Sequence, residues 1–324
     1  MSLRVGILGC GEIAARHAAA VAAQPELMTI AAWCSRDPAK AAEFAARHGG
    51  APFASLDAMI DAGLDLLIVT ISPFARAGEA EHAAARGVHL LVEKPIALDL
   101  AAARAMADAV EAAGVVAAIG FMYRHGDALR AWREADTGRI GLFAGEYHCN
   151  ALHAEWWREE AKSGGQIVEQ VLHQIDLIRH LMGDPDRVYA RRANLFHRDT
   201  PGYDVEDVSA TVFAWDDGRI ATLNASNIAT PGLWAKRWAV YAERLTGRFS
   251  DWNLAEFAST VDGAVTAIAG TTDPFAAQLA DLAAAIRDNR PPLTPLRDGV
   301  GALRLALAAR RSADEKRELT LGHG

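Results

Sequence analysis

Residues 5–14 read Val-Gly-Ile-Leu-Gly-Cys-Gly-Glu-Ile-Ala, an apolar strand-like run that passes through a glycine-rich turn into a helix-compatible segment. In this G-x-G-x-x-A pattern, Gly9 permits the tight turn, Gly11 lets the backbone approach a pyrophosphate, and the small Ala14 lets helix and strand pack closely. The pyrophosphate would lie at the helix N-terminus, where free N–H groups and the helix dipole favour an anion. The stretch therefore predicts a dinucleotide-binding turn, with Gly9, Gly11, Glu12 and Ile13 as cofactor-binding residues.

Around this turn, strand-like runs alternate with Ala-rich, helix-compatible segments over the first 121 residues. The strand-like runs are residues 4–8, 29–34, 65–71, 88–92 and 115–119. The helical segments between them are residues 12–23, 38–48, 75–86 and 99–113. Such alternation predicts an α/β domain over residues 1–121, with the doubly wound parallel sheet of a Rossmann fold.

After Phe121, strand-like runs follow one another, which is typical of an antiparallel or mixed sheet in an α+β domain. The runs are residues 142–149, 188–196, 208–215 and 219–225. Asp217-Gly218, between the last two, predicts a hairpin turn. Helices are predicted over residues 165–182, 274–289 and 296–312. Residues 122–324 thus form the second predicted domain.

Composition argues against several classes of partner. The 324-residue chain has a formal net charge of −8 and no Lys/Arg-rich run, which argues against nucleic-acid binding. The most apolar stretch, residues 105–121, contains Asp108 and Glu111, so no membrane span is predicted. The three cysteines have no C-x-x-C spacing and fit a reducing compartment. We therefore expect a cytoplasmic protein that acts on a small molecule.

The end of the second predicted strand bears on the choice between NAD and NADP. An NAD site usually has an acidic residue there to accept a hydrogen bond from the ribose 2′-OH, whereas this chain has Ser35 followed by Arg36. A hydroxyl beside a guanidinium suits a 2′-phosphate, so NADP is favoured. Asp37, followed by a proline, fits a helix cap, although it could also turn toward the ribose, which leaves NAD open. Ser72, after the third long strand, is a further predicted cofactor contact.

Glu93-Lys94-Pro95 follows the predicted strand 88–92. Ligands of open parallel sheets bind at the carboxyl ends of the strands. A charged pair that stops at a proline is poorly explained by packing, although exposed charges at a strand end are ordinary. We predict that Glu93 and Lys94 contribute to the cofactor site.

The predicted helix 165–182 carries the second unusual group. At 100° per residue, Glu169, His173 and Asp176 fall on one face, together with Gln166 and His180. A solvated polar face is the ordinary explanation for such a pattern. The acid–histidine spacing of four residues, however, suits a carboxylate that orients an imidazole. The preceding Gly164-Gly165 pair would permit close approach by a ligand. No H-E-x-x-H motif or cysteine accompanies the group, so no metal site is predicted.

These motifs together resemble the glucose-fructose oxidoreductase/inositol dehydrogenase (Gfo/Idh/MocA) family nearly end to end. The resemblance depends on residues 9–14, on residues 93–95 and on the helix with Gly-Gly, acid, His and Asp. It implies a Rossmann domain and a C-terminal domain with a large, mostly antiparallel open sheet that forms homodimers or homotetramers. It also implies sugar or cyclic polyol substrates.

Carried over residue by residue, Lys94 matches the family's active-site lysine and His173 its helix histidine. Glu169 stands where a catalytic aspartate is usual, so its carboxylate reaches about one methylene further. Ser35 and Arg36 replace the common acidic residue. The loop of residues 70–76 lacks the usual Pro-Asn and downstream His, and Arg76 lies near the place of that His.

The expected reaction is hydride transfer between a carbinol carbon and the nicotinamide. His173 would accept the hydroxyl proton, Lys94 would donate a hydrogen bond to the same oxygen, and Glu169 would orient or tune the pair. Predicted substrate contacts are Tyr123, Arg124, Asn150, Trp157 and Asp176. Further candidate substrate groups in the same segment are His148, His153, Trp156, Arg158 and Lys162.

Two other functions stay open at this point. One is a non-catalytic sensor that binds a dinucleotide and regulates a partner, for which the change at Glu169 leaves room. The other is a reductase of a different carbonyl or imine on the same fold, because fold does not determine substrate.

Overall fold

The computed structural model describes residues 2–150 and 154–322, and the chain forms two compact units. The first unit contains Met1–Met122 and Asp273–Val300, and the second contains Tyr123–Thr272 and Gly301–Gly324. The sequence analysis divides the chain into domains at residues 1–121 and 122–324, and this domain boundary stays a prediction. The return of residues 273–300 to the first unit was not anticipated, because helical periodicity does not say which sheet a helix covers.

The first unit contains a six-stranded parallel sheet of order β3-β2-β1-β4-β5-β6. Its strands are β1 Leu3–Leu8, β2 Met28–Cys34, β3 Ala51–Phe53, β4 Leu66–Val69, β5 His89–Val92 and β6 Ala117–Ile119. Its helices are α1 Glu12–Ala22, α2 Pro38–His48, α3 Leu56–Asp61, α4 Glu79–Ala85, α5 Leu100–Ala112 and α10 Pro274–Asp288. The predicted doubly wound parallel sheet is confirmed. The sequence analysis missed β3 and α3, which are too short to show a period.

The core of the first unit lies on both faces of this sheet. Strand β4 is buried along its whole length, as its unbroken apolar run predicts. On one face, Phe275, Leu279 and Leu282 of α10 pack into the cluster formed by β1 and α1. Helix α10 therefore completes a layer of the first unit although it lies far along the chain.

The second unit contains a nine-stranded mixed sheet of order β14-β13-β12-β11-β7-β10-β9-β8-β15. The strands are β7 Ile140–His148, β8 Arg187–Ala193, β9 Val208–Ala214, β10 Ile220–Ser226, β11 Ala235–Ala242, β12 Leu245–Phe249, β13 Leu254–Ser259, β14 Val265–Ala269 and β15 Leu319–Thr320. Among the described strands of this sheet, only β7 and β10 pair in parallel, so the predicted large, mostly antiparallel open sheet is confirmed. The predicted turn at Asp217-Gly218 joins β9 to β10. Strands β11 to β14 were not predicted.

The remaining helices are α6 Asp127–Glu134, α7 Glu160–Ser163, α8 Gln166–Glu169, α9 Leu172–Met182 and α11 Leu296–Glu315, with 3-10 turns at Pro73–Ala75, Met122–His125 and Glu155–Arg158. Helix α9 crosses the sheet at Gly145, where a Cβ would lie 2.7 Å from Gln174 Oε1. Gln174 Nε2 donates to the carbonyls of Glu146 and Arg237, which fixes α9 on two adjacent strands. Within residues 2–150 and 154–322, no helix is long and apolar enough to cross a membrane.

Candidate active site

The glycine-rich turn has the geometry that a dinucleotide requires. Gly9 has φ 107°, and a Cβ there would lie 2.6 Å from Thr70 Oγ1, so a larger residue is excluded. Gly11 precedes α1, and its Cα faces open space, with no atom of the described chain within 4 Å of an added Cβ. Glu12 and Ile13 are exposed in the first turn, and no described side chain caps α1. The turn therefore leaves room and free N–H groups for a pyrophosphate.

A cleft of about 310 Å³ opens beside this turn, within the first unit. It is lined by Gly9, Cys10, Gly11, Ser35, Arg36, Asp37, Lys40, Thr70, Ile71, Ser72 and Ala75. The structure thus gathers Ser35, Arg36 and Ser72 with the glycines, as the sequence analysis predicted for a cofactor site. Lys40 adds a second exposed cation one turn into α2. Backbone donors, hydroxyls and two cations fit the phosphates of a dinucleotide.

Asp37 has the capping role that the sequence analysis weighed against a ribose contact. Its Oδ1 accepts from Ala39 N at 3.0 Å at the start of α2, and Pro38 stands at the first helical position. Ser35 Oγ accepts from Asp37 N at 3.3 Å. The Asp37 carboxylate therefore satisfies the helix N-terminus, which leaves the hydroxyl and Arg36 as the groups presented at the strand end.

Glu93 is buried inside the first unit. Its Oε1 lies 2.7 Å from His17 Nε2, and its Oε2 accepts from Lys94 N at 3.1 Å. A Cβ on Gly120 would lie 2.6 Å from Glu93 Oε2, so that glycine makes room for the carboxylate. These contacts make Glu93 a support for the backbone of Lys94. Its predicted contact with the cofactor stays a prediction.

The Lys94 segment, defined as residues 93–97, follows β5. Every residue of the segment is buried except Lys94, which is part-exposed. A long cationic side chain on an otherwise buried segment extends into a more polar environment. This exposure is compatible with the predicted catalytic role, which requires an accessible ammonium.

The predicted long helix 165–182 is wrong in one respect, because it is broken into α8 and α9 at Gln170 and Val171. The carbonyl of Gln166 accepts from both Gln170 N (2.9 Å) and Val171 N (3.0 Å), a widened turn of π-helical type. Rotation at 100° per residue therefore does not hold between Glu169 and His173. The predicted polar face is also largely buried: Gln166, His173 and Asp176 are buried, and Glu169 and His180 are half-buried.

His173 stacks on Tyr123 within the second unit. The ring centroids are 4.5 Å apart and the planes differ by 6°, which fixes the plane of the imidazole. Tyr123 also contacts Trp252 at 4.9 Å and Trp238 at 6.0 Å. Burial raises the pKa of the Tyr123 phenol, so this ring acts as a neutral wall. The structure thus brings two predicted site residues together, and adds Trp252.

Glu169, half-buried at the end of α8, is bound by a second predicted site residue. Trp157 Nε1 donates to Glu169 Oε2 at 2.9 Å, and the indole is itself buried. A hydrogen bond from a buried indole orients the carboxylate. Asn150, at the far end of β7, donates to the Ala229 carbonyl at 3.4 Å. The candidate substrate group His153 lies outside the described residues.

Arg124 and Asp176, both predicted to bind substrate, form a buried ion pair with each other. Arg124 Nε lies 2.8 Å from Asp176 Oδ2, and Arg124 Nη2 lies 2.5 Å from Oδ1, a bidentate arrangement. Removing one partner of such a pair leaves a buried charge, so the pair fixes α9 to residue 124. His180, one turn further along α9, has its pKa lowered to about 3 by burial and by Arg124. It is neutral at physiological pH.

The Gly164-Gly165 pair makes room for the chain's own Glu206, where the sequence analysis expected a ligand. A Cβ on Gly165 would lie 2.6 Å from Glu206 Oε2. Glu206 Oε1 accepts from Ile167 N at 2.7 Å, and Oε2 lies 3.3 Å from Arg192 Nη1. Burial raises the pKa of Glu206, while the bond from Ile167 and the charge of Arg192 oppose the shift. The close approach that the sequence analysis predicted for a ligand at Gly165 is therefore made by the chain's own Glu206.

Three contributors were missed from the sequence: Lys40, Glu206 and Trp252. Lys40 carried a detectable signal, because it lies four residues after Arg36 at the start of the helix that follows β2. The others act through long-range contacts that spacing does not reveal. In residues 2–150 and 154–322, no group of three or more His, Cys, Asp or Glu side chains could bind a metal ion.

Comparison with protein families gives two adjoining matches. Residues 3–121 match the oxidoreductase family with an NAD-binding Rossmann fold, GFO_IDH_MocA. Residues 127–246 match the GFO/IDH/MocA C-terminal domain. The two matches fall on the parallel sheet and on the mixed sheet, so each unit is recognised by itself.

Several relatives align over nearly the whole chain. Inositol 2-dehydrogenase of Rhizobium meliloti (strain 1021) is 28% identical, over 99% of this chain and 100% of its own length. D-xylose 1-dehydrogenase (NADP(+)) 2 of Haloferax volcanii is 26% identical, over 95% and 97% respectively. The solved structure of levoglucosan dehydrogenase with NADH and levoglucosan has a TM-score of 0.91 at 20% identity, over 100% of both chains. That structural likeness shows the fold.

Proposed function

The chain belongs to the Gfo/Idh/MocA family of NAD(P)-dependent oxidoreductases, and from this membership we propose that it oxidises or reduces a CH–OH carbon of a sugar, a cyclic polyol or a derivative. The observation that carries the proposal is the cleft at Gly9 and Gly11, which offers space and anion-binding groups in the same unit as Lys94. Relatives named for inositol and xylose support the substrate class. Reduction of NADP⁺ by a panel of polyols and pyranoses tests it.

In the proposed mechanism, the bound nicotinamide accepts or supplies the hydride. Lys94 donates a hydrogen bond from Nζ to the reacting oxygen and stabilises the negative charge that develops there. The bond from its own N–H to Glu93 and the burial of the neighbouring residues limit the positions that the ammonium can adopt. The chain thus supplies a donor that is oriented before substrate binds.

His173 accepts the hydroxyl proton when the substrate is oxidised and returns a proton when the carbonyl is reduced. The stack on Tyr123 fixes the plane in which the ring nitrogens point. Glu169, oriented by Trp157, supplies negative charge one turn before the histidine and favours the protonated imidazole that forms during oxidation. We assign Glu169 this supporting role.

For substrate binding, we propose a direct contact from Asn150, because an amide binds hydroxyls. Tyr123 and Trp157 are buried, so we propose that they act by supporting the side chains that they contact. Arg124 and Asp176 satisfy each other in the buried pair, so we propose that they act by fixing the position of α9. Their predicted direct contact with substrate is then secondary to this role.

We further propose that NADP is the preferred cofactor. Asp37 caps α2, while Ser35, Arg36 and Lys40 line the cleft at the end of β2. Two cations and a hydroxyl suit a dianionic 2′-phosphate, whereas NAD offers a neutral hydroxyl there.

Replacing Arg36 with alanine should weaken NADPH binding about 10- to 100-fold, the usual worth of a charge-assisted hydrogen bond, and change NADH binding less than about twofold. Quenching of tryptophan fluorescence measures both affinities. Arg47→Ala removes an exposed arginine of α2, which is paired with Glu43, and serves as the control. A wild-type preference for NADH, or equal losses of affinity for both cofactors, would contradict the NADP assignment.

We also propose that the chain forms a homo-oligomer through the open face of the mixed sheet. On that face Ile220 pairs with Leu142, and Leu142 pairs with Tyr241, which gives an apolar row across three strands. Tyr189 pairs with Val212 farther along the same face. Apolar rows on a broad sheet face are typical of protein interfaces.

Changing Tyr241 to arginine should convert the oligomer to monomer at micromolar concentration, because a charge at the centre of an apolar interface costs about 2 kcal/mol or more. Sedimentation equilibrium measures the mass. Val261→Arg, at an exposed apolar residue in the turn after β13, is the matched control and should change nothing. A monomeric wild type, or an unchanged mass for the Tyr241 variant, contradicts this interface.

We also propose that the protein is located in the cytoplasm. Cys10, Cys34 and Cys149 are free thiols. Burial raises the pKa of Cys10 to about 11 and that of Cys149 to about 12, so both stay protonated at neutral pH. Cell fractionation checks the location, and recovery of the protein in an exported fraction would contradict it.

A further inference from the structure

Arg76 binds the backbone on both sides of Lys94. The side chain leaves the loop after β4, and Nη2 donates to the Glu93 carbonyl at 2.6 Å. Nη1 donates to the carbonyls of Pro95 (2.6 Å) and Ile96 (2.9 Å). Three of the five carbonyls in the Lys94 segment, one before Lys94 and two after it, are thus bound to one guanidinium.

A fourth hydrogen bond of Arg76 connects the Lys94 segment with the cofactor cleft. Arg76 Nε donates to the Ile71 carbonyl at 3.2 Å, and Ile71 lines the cleft beside Gly9. The guanidinium therefore links the loop that follows β4 with the segment that follows β5. Both loops lie at the carboxyl edge of the parallel sheet, where ligands of such sheets bind.

The arrangement needs an arginine. Four carbonyl acceptors in different directions match the fork of donors on a guanidinium, whereas an ammonium has three donors on one atom. Burial lowers the pKa of Arg76 to about 10, and the neighbouring Glu93 carboxylate opposes that shift. The side chain is therefore charged at physiological pH, and its hydrogen bonds are charge-assisted.

We propose that Arg76 is a positioning residue for catalysis: its four carbonyl bonds fix the Lys94 segment so that the Lys94 ammonium points at the reacting oxygen. The inference rests on the proposed function of Lys94. Together with the Glu93 carboxylate, which accepts from Lys94 N, Arg76 fixes the backbone at the residue before Lys94, at Lys94 itself and at the two that follow. Misplacement of a catalytic group by about 1 Å is enough to slow a reaction about a hundredfold.

A double-mutant cycle on kcat tests this role, with the alcohol identified from the polyol and pyranose panel and NADP⁺ as cofactor. Arg76→Ala should lower kcat about 30-fold or more, with KM and NADPH affinity changed less than about threefold. Arg76→Lys should recover less than a tenth of the wild-type rate. In a Lys94→Met background, Arg76→Ala should lower the residual kcat by less than about threefold, because the positioned group is already absent.

Hydrogen exchange of the NADPH complex gives a readout independent of turnover. Peptides that contain residues 93–97 should exchange about tenfold faster in Arg76→Ala, while peptides from β1 are unchanged. Arg86→Ala, which removes an exposed arginine paired with Asp61 in the same unit, is the control and should match the wild type in both assays. Thermal unfolding confirms that each variant is folded.

The outcomes separate the inference from the proposed function. Full activity of Lys94→Met overturns both. If Lys94→Met is slow and Arg76→Ala lowers kcat by the same factor in the wild-type and Lys94→Met backgrounds, that result overturns the positioning role of Arg76 alone. Unchanged exchange of residues 93–97 in Arg76→Ala also overturns it.

Discussion

Lys94→Met should lower kcat about a thousandfold, which corresponds to about 4 kcal/mol of transition-state stabilisation. Methionine preserves most of the length and volume of the side chain and removes its charge and donors. The loss follows because negative charge develops on the substrate oxygen, and an oriented ammonium in a segment surrounded by buried residues stabilises that charge more than water does. NADPH affinity should change less than about threefold, since Lys94 is not among the residues that line the proposed cofactor cleft.

Steady-state kinetics at saturating NADP⁺, combined with fluorescence titration of NADPH, measure the two quantities separately. Lys94→Arg preserves the charge on a longer, planar group and should recover only part of the rate. Lys316→Met alters an exposed lysine in the second unit and is the control. A Lys94→Met enzyme with kcat within about threefold of the wild type would remove Lys94 from the mechanism.

His173→Asn should lower kcat/KM about a hundredfold to a thousandfold, the range expected when a general base is removed. Wild-type kcat/KM for oxidation should fall as the pH is lowered, because only the neutral ring accepts a proton. The variant should lose this acid limb and have a nearly flat profile. The loss of the Tyr123 stack has a smaller effect, because it changes ring orientation without supplying a base.

The profile of kcat/KM against pH decides the role of His173. His82→Asn, which alters an exposed histidine paired with Asp57 in the first unit, should preserve the wild-type profile. If His173→Asn retains the acid limb, another group is the base. Glu169, tied to Trp157, is then the next candidate.

The parallel sheet and the cofactor turn could be predicted because their signals are local. Gly9 and Gly11 are required by backbone geometry at single positions, and β4 is an unbroken apolar run. Asp37 and Pro38 likewise indicate the start of α2. Such signals need no knowledge of distant residues, and the structure agrees with each of them.

The details of the second unit could not be predicted in the same way. The widened turn at Gln166 depends on buried partners from other elements, among them Asn227, whose Oδ1 lies 3.2 Å from Gln166 Nε2. Gly165 was predicted to let a ligand approach, because nothing in the sequence near it indicates that Glu206, about forty residues later, occupies that space. Arg76 was noticed as a departure from the family, but its four carbonyl bonds follow from the fold.

The most direct test of the central claim is the reduction of NADP⁺ by cyclic polyols and pyranoses, followed by the absorbance of the reduced nicotinamide. We predict turnover with at least one such alcohol, and its loss in a Lys94→Met/His173→Asn double variant that still binds NADPH. A wild-type protein that binds NADPH tightly yet oxidises none of the alcohols, and reduces none of the corresponding ketones or lactones, would contradict the assignment and identify a dinucleotide-binding sensor.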